Sequence, residues 1–214
     1  MSFGVTDKIA ILGQSGSGKT YLSRKIQEIY PRVVVLDFMH EYDDGEIVRS
    51  FSEFSEKLIE YKTTRRKRFR LIFQFPPETE DFAFICDHIL KTCYTAGNML
   101  VVIEEVQNYS HTHHLPHWLR SALLTGRHKN LALIFTTQRP GELHKTILSQ
   151  CAHVFCGRIH EKNDLKYLEN YFYDEIEKLK KLENRFFIYW QPGGKTALVH
   201  NSLGSTPKKS LEKN

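Results

Sequence analysis

Short, nearly unbroken apolar runs alternate along the chain with longer stretches whose apolar residues recur at helical spacing. Ile9-Ala10-Ile11-Leu12, Val33-Val34-Val35-Leu36, Leu71-Ile72-Phe73-Gln74-Phe75, Met99-Leu100-Val101-Val102-Ile103 and Leu131-Ala132-Leu133-Ile134-Phe135 have the composition of strands buried on both faces. Between them, residues 51–61 place Phe51, Phe54, Leu58 and Ile59 at helical spacing. Residues 78–95 do the same with Phe82, Ile85, Ile89, Leu90 and Cys93 before a stop at Gly97. Trp118-Leu119 and Ala122-Leu123-Leu124 give a shorter amphipathic helix closed by Gly126. This alternation predicts an α/β fold with a mainly parallel central sheet flanked by helices.

Farther on, residues 147–150 end a helix, Ala152-His153-Val154-Phe155-Cys156 reads as a strand, and 163–182 as a helix broken near Tyr171 to Tyr173. Arg185-Phe186-Phe187-Ile188-Tyr189-Trp190 and Thr196-Ala197-Leu198-Val199 flank Gln191-Pro192-Gly193-Gly194-Lys195, the signal of a C-terminal β-hairpin. Residues 1–200 read as one domain, and 201–214 as a polar tail expected to be disordered.

The first apolar run leads into Gly13-Gln14-Ser15-Gly16-Ser17-Gly18-Lys19-Thr20, which is followed by a helical stretch. Strand, G-x-x-x-x-G-K-T and helix in that order form a phosphate loop. Polyphosphate needs many donors at once, and small residues let consecutive backbone N–H groups turn toward it. The helix directs its positive end at the phosphates, Lys19 reaches the β and γ oxygens, and the Thr20 hydroxyl is a ligand for Mg²⁺. ATP and Mg²⁺ are therefore the expected cofactors.

A second chemical stretch ends the run at 99–103 with Glu104-Glu105. Paired carboxylates at a strand end after such a loop suit a Mg²⁺ nucleotidase: Glu104 is assigned to the metal and Glu105 to the attacking water as general base. Asp is the usual residue at the metal position, so Glu104 carries one extra methylene to be accommodated. The run at 131–135 continues as Thr136-Thr137-Gln138-Arg139-Pro140. Gln138 reaches both the γ-phosphate and the water if its strand lies between the strand of the phosphate loop and that of the acid pair. His111, His113, His114 and His117 cluster between these segments. His113 and His117 would chelate a metal on a helix, but no local cysteine or carboxylate completes a set, and a polar loop or helix start is the preferred reading.

Composition narrows the setting. No apolar run approaches the roughly 18 residues of a membrane span, and residues 1–8 lack a signal-peptide core, so a soluble, cytoplasmic protein is expected. Cys86, Cys93, Cys151 and Cys156 lie in apolar runs and read as reduced thiols. A formal net charge of +5 permits an acidic polymer as partner without demanding one.

Gly13 to Thr20, the strand end at Glu104-Glu105, and above all Gly126-Arg127-His128-Lys129-Asn130 leading into Thr136-Thr137-Gln138-Arg139-Pro140 resemble the HerA/FtsK superfamily of DNA-pumping ATPases. Val35-Leu36-Asp37 with His40-Glu41-Tyr42, and Leu148-Ser149-Gln150-Cys151 with Arg158 and Asp164-Leu165, resemble further parts of the HerA pattern. The resemblance implies a RecA-like P-loop NTPase of the class with an additional strand and a catalytic Glu, assembled as a ring, usually a hexamer, with ATP at subunit interfaces. It also implies an arginine finger from a neighbour, with Arg127 as first candidate and Arg158 as second. With the phosphate-loop strand so close to Met1, the chain looks like a bare motor, similar to genome-packaging ATPases of viruses with internal membranes.

The expected function is thus an ATP-hydrolysing translocase of double-stranded DNA that packages a viral genome in the host cytoplasm, with capsid or membrane-vertex proteins as further partners and association with the virion open. A HerA-like DNA-processing or plasmid-transfer ATPase is the alternative. A small-molecule P-loop kinase and a non-hydrolysing ATP-switched adaptor share the loop but account less simply for Gln138. For DNA contact, Arg65, Arg66, Lys67, Arg68 and Arg70 place five cations in six positions, suited to sequence-independent phosphate binding.

Overall fold

The computed structural model describes residues 2–194 and 196–203; most of the predicted tail lies outside them. Among the described residues nine strands form one sheet: β1 (Lys8–Leu12), β2 (Arg32–Asp37), β3 (Glu46–Val48), β4 (Phe69–Gln74), β5 (Met99–Ile103), β6 (Leu131–Thr137), β7 (His153–Cys156), β8 (Phe186–Trp190) and β9 (Ala197–His200). Their order is β3-β4-β2-β5-β6-β1-β7-β8-β9. The strands from β3 to β7 in that order are parallel, and β8 and β9 add an antiparallel C-terminal hairpin. The P-loop α/β architecture expected from the sequence is therefore present, with β6 inserted between β1 and β5.

The helices are α1 (Lys19–Gln27), α2 (Phe51–Thr63), α3 (Phe82–Ala96), α4 (His117–Thr125), α5 (Lys145–Ser149), α6 (Lys162–Phe172) and α7 (Ile176–Leu179). Local chemistry sets their ends. Ser50 and Glu53 close a capping box at the start of α2, and the Asp81 side chain accepts from the Phe84 amide, so α3 begins later than its apolar spacing suggests. The predicted break after Phe172 falls at Tyr173, whose φ is 37°.

Successive strand residues point to opposite faces, and both faces are apolar. Ile9, Ile11, Val33, Val35 and Ile134 pack with Leu22 and Ile26 of α1. Leu12, Val34, Val101 and Phe135 pack on the other face with residues of α2, α3, α4 and α6, among them Phe54, Leu90, Leu119 and Leu168. Doubly covered parallel strands explain the unbroken apolar runs. The four cysteines are free and buried.

Two local expectations change. The three-residue edge strand β3 escaped the sequence reading because it is too short to show a period. α4 begins at His117, whereas His113 lies in the turn bridged between His111 and His114, so the two do not share a helical face. Among the described residues no helix is long and apolar enough to cross a membrane.

Phe135 is fully buried at the centre of the sheet. Phe135→Ala is expected to cost about 3–5 kcal/mol of stability, read from the urea unfolding midpoint of the nucleotide-free protein.

Candidate active site

The sheet register brings three strand ends to one level. Leu12 pairs with Thr137 and Ile103 with Phe135, so the phosphate loop, the acid pair and the polar end of β6 emerge together at the carboxyl edge. A cleft of about 240 Å³ opens there, lined by the loop together with Glu41, Glu104, Glu105, Thr136 and Gln138. A larger groove of about 410 Å³ lies between α2 and α3, but Phe51, Leu58, Ile59 and Ala96 make it largely apolar, and it holds no carboxylate. The polar cleft has the chemistry.

The loop is built from below. Gly13 has φ of 149°, and a Cβ there would stand 2.8 Å from Ser17 Oγ. Gly18 has φ of 94°, and a Cβ there would meet the Asn201 side-chain nitrogen at 2.7 Å. Arg185 N–H donates to the Ser17 carbonyl at 3.1 Å, and Asn201 N–H to the Arg185 carbonyl at 2.8 Å. The C-terminal hairpin thus braces the loop. Asn201, placed at the start of the tail by sequence, is instead buried at 4% exposure, because its side chain fills the space that Gly18 leaves open.

Lys19 is buried and reaches back to the Gln14 carbonyl at 3.4 Å and to Glu105 Oε1 at 3.9 Å. Burial holds its ammonium below the usual value, opposed by Glu105, Glu41 and Glu104. A buried cation this close to the cleft is free to exchange carboxylates for phosphate oxygens.

Glu105 is the most constrained residue of the site. Its backbone is left-handed, φ 40° and ψ 54°, which a non-glycine residue adopts only when its surroundings enforce it. They do: its amide donates to Thr136 Oγ1 at 3.2 Å. Its carboxylate accepts from the Gln138 amide at 3.2 Å, from Gln138 Nε2 at 3.0 Å and from Gln107 Nε2 at 2.7 Å. Gln107 is itself fixed by the Thr137 hydroxyl at 2.6 Å. Sequence reasoning missed Gln107, whose spacing from Glu105 carries no motif. Glu104 lies 3% exposed among acids; burial first, then Asp37 and Glu41, push its carboxyl up to about 8.

The arginines divide. Arg158 lies on its own subunit's loop: its carbonyl accepts from Gln14 N–H at 3.0 Å, and the Gln14 side-chain oxygen accepts from Arg158 Nε and Nη2 at 2.8 and 3.0 Å. Its Nη2 also donates to Asn184 at 2.9 Å. Arg139 turns away to Glu161 and Asp164 at 3.8 and 4.0 Å. Arg127 is exposed in the 3₁₀ turn Gly126–Lys129 before β6, at the edge of the sheet opposite the cleft. In the basic segment, Arg66 pairs with Glu46 at 2.7 Å, and Arg70 with Gln27 at 2.6 Å and Asp44 at 3.4 Å. Arg65, Lys67 and Arg68 are exposed and make no ion pair among the described residues.

This geometry agrees with what the chain is similar to. The model of a family described as an AAA domain matches residues 7–147, which hold the phosphate loop, the acid pair and all of β6. The chain belongs to this AAA domain family. Protein P9 of Pseudoalteromonas phage PM2 is 27% identical over 189 residues, 86% of this chain and 84% of that protein. Among solved structures, the genome packaging NTPase B204 from Sulfolobus turreted icosahedral virus 2, in complex with AMPPCP, superposes with a TM-score of 0.73 at 19% identity, covering 92% of this chain and 98% of that one. The N-terminal domain of zonular occludens toxin from Neisseria meningitidis has a TM-score of 0.50 at 14% identity, covering 95% of each chain. The AAA domain is thus a P-loop NTPase fold shared with a compact viral packaging NTPase.

The buried acid makes a pH test available. An ordinary glutamate titrates near 4.5, so between there and about 8 the folded protein keeps a proton at Glu104 that the unfolded chain has released. Stability contributed by the neutral carboxyl is full below that window and is lost as pH rises through it. Metal- and nucleotide-free Glu104→Gln is expected to melt above the parent at alkaline pH, with the gap closing toward pH 5, as followed by thermal unfolding.

Proposed function

We propose that the chain is an ATP-hydrolysing motor of the HerA/FtsK type that drives double-stranded DNA into a viral capsid. The observation that carries the reading is β6 between β1 and β5, which sets Gln138 against Glu105 at the floor of the phosphate-loop cleft. Likeness to the packaging NTPase B204 and to a phage protein supports the viral setting.

Mg²⁺ fits the donor set: the Thr20 hydroxyl and carboxylates in a cleft that also receives phosphates are oxygen ligands for a small, hard cation. Among the described residues no three His, Cys, Asp or Glu side chains form a metal site of their own, so phosphates and waters would have to complete the shell. Thr20 and Glu104 would hold the ion, and it would supply positive charge to offset the negative charge that develops in phosphoryl transfer. Gly13 to Thr20 supply backbone donors, and Lys19 moves from Glu105 to the β and γ oxygens. Release from Lys19 leaves Glu105 as the base that takes the water proton, with Gln138 linking it to the γ-phosphate.

Arg127 stands across the sheet from its own cleft, a separation of roughly 20 Å along the seven residues of β6. It serves a neighbouring subunit's γ-phosphate, so the site is completed by assembly into a ring, with six subunits expected from the family. Arg158, engaged by Gln14, holds the loop in cis. Within the basic segment, Arg65, Lys67 and Arg68 make no ion pair among the described residues and are the first candidates for DNA phosphates, whereas Arg66 and Arg70 are already paired with Glu46 and Asp44.

The test is steady-state ATP hydrolysis with and without duplex DNA at two salt concentrations. Turnover is expected to rise with DNA and the rise to shrink with salt. Mixing inactive Arg127→Ala with inactive Glu105→Gln subunits is expected to restore activity at interfaces where an intact cleft meets an intact Arg127. Turnover indifferent to DNA would overturn the motor reading.

A further inference from the structure

The contact between Thr20 and Glu41 belongs to none of the roles above. Thr20 Oγ1 donates to Glu41 Oε2 at 2.5 Å, across 21 residues of sequence. Glu41 sits in the turn after β2, and that turn is fastened from several sides. Glu41 N–H and Tyr42 N–H donate to the two oxygens of the fully buried Asp37, each at 3.0 Å. Gln74 Nε2 donates to the Tyr42 carbonyl at 3.0 Å and to Asp37 at 3.3 Å. His40 has φ of 55° and holds the Phe75 carbonyl through Nε2 at 2.7 Å. Arg24, from α1, donates to the Glu41 carbonyl and lies 4.7 Å over the Tyr42 ring. The backbone of Glu41 is fixed, while its side chain stays open to the cleft.

A threonine hydroxyl has one hydrogen and two lone pairs. If its oxygen is to ligate a cation, the hydrogen must point elsewhere, and an acceptor on the far side ensures it. We infer that Glu41 is a positioning residue for the metal bound with nucleotide: it takes the Thr20 hydrogen, turning the lone pairs to the ion, and offers its other oxygen to a metal-held water. The inference rests on the nucleotide reading of the cleft. It also explains why the His40-Glu41-Tyr42 stretch is built so firmly, and how a longer Glu104 is tolerated where Asp is usual: a second carboxylate shares the task from the turn after β2.

The test uses the full chain and ATPγS as probe, with binding measured by calorimetry in EDTA and Mn²⁺ affinity of the protein–ATPγS complex measured by electron paramagnetic resonance. Glu41→Gln is expected to keep metal-free ATPγS affinity and to weaken Mn²⁺ about 10-fold or more. Glu41→Asp, which keeps the charge on a shorter stem, is expected to recover part of the loss. Unchanged Mn²⁺ affinity in Glu41→Gln overturns the role of Glu41. So does a loss of ATPγS affinity in EDTA, which would make Glu41 a tie between turn and helix. Failure of the parent protein to bind ATPγS in any condition overturns the nucleotide reading itself, a result separable from the other two.

Discussion

The hydrogen bonds between the end of β5 and the end of β6 govern the site. Thr136 Oγ1 accepts from the Glu105 amide and Gln138 donates to the Glu105 carboxylate, and together they hold a left-handed glutamate in place. Such a conformation costs about 1–3 kcal/mol in isolation. It is sustained because β6 lies next to β5 in fixed register, which in turn requires β6 to separate β5 from β1. In the proposed mechanism, sheet order is therefore the means by which Glu105 would be aimed at the water beside the γ-phosphate.

The same edge concentrates charge before any ligand arrives. Glu104, Glu105 and Glu41 share a small cleft with one buried lysine, and the Glu104 carboxyl is pushed up by burial and by the neighbouring acids Asp37 and Glu41. Phosphates bring more negative charge, and a divalent cation with Lys19 offsets it. In the proposed reading, the cleft would therefore suit nucleotide and metal together better than either alone. The loop that receives them is not self-supporting: Arg158 holds Gln14, and the hairpin β8–β9 props Ser17 and Gly18 from behind.

Much of this was legible in the chain. The phosphate loop, the buried parallel strands and the acid pair announce themselves because each is a contiguous pattern with one physical cause. The reach of Gln138 to the γ-phosphate and the water could be stated only conditionally, since strand order is a long-range property, and the structure supplies that order. What stayed hidden is contact between distant segments. Nothing local marks Asn201 as the filler beneath Gly18, Glu41 as the partner of Thr20, or Arg158 as a brace of its own loop. The basic segment hid contacts for a related reason: a charge run does not show that Glu46 and Asp44 wait on adjoining elements to pair with two of its members.

The central claim is that Glu105, aimed by β6, activates water in a nucleotide cleft. Single-turnover ATP hydrolysis by Glu105→Gln, measured alongside ATP binding, tests it most directly. Retained binding with hydrolysis slowed about 100-fold or more is the predicted result. Hydrolysis at the parent rate would contradict the account.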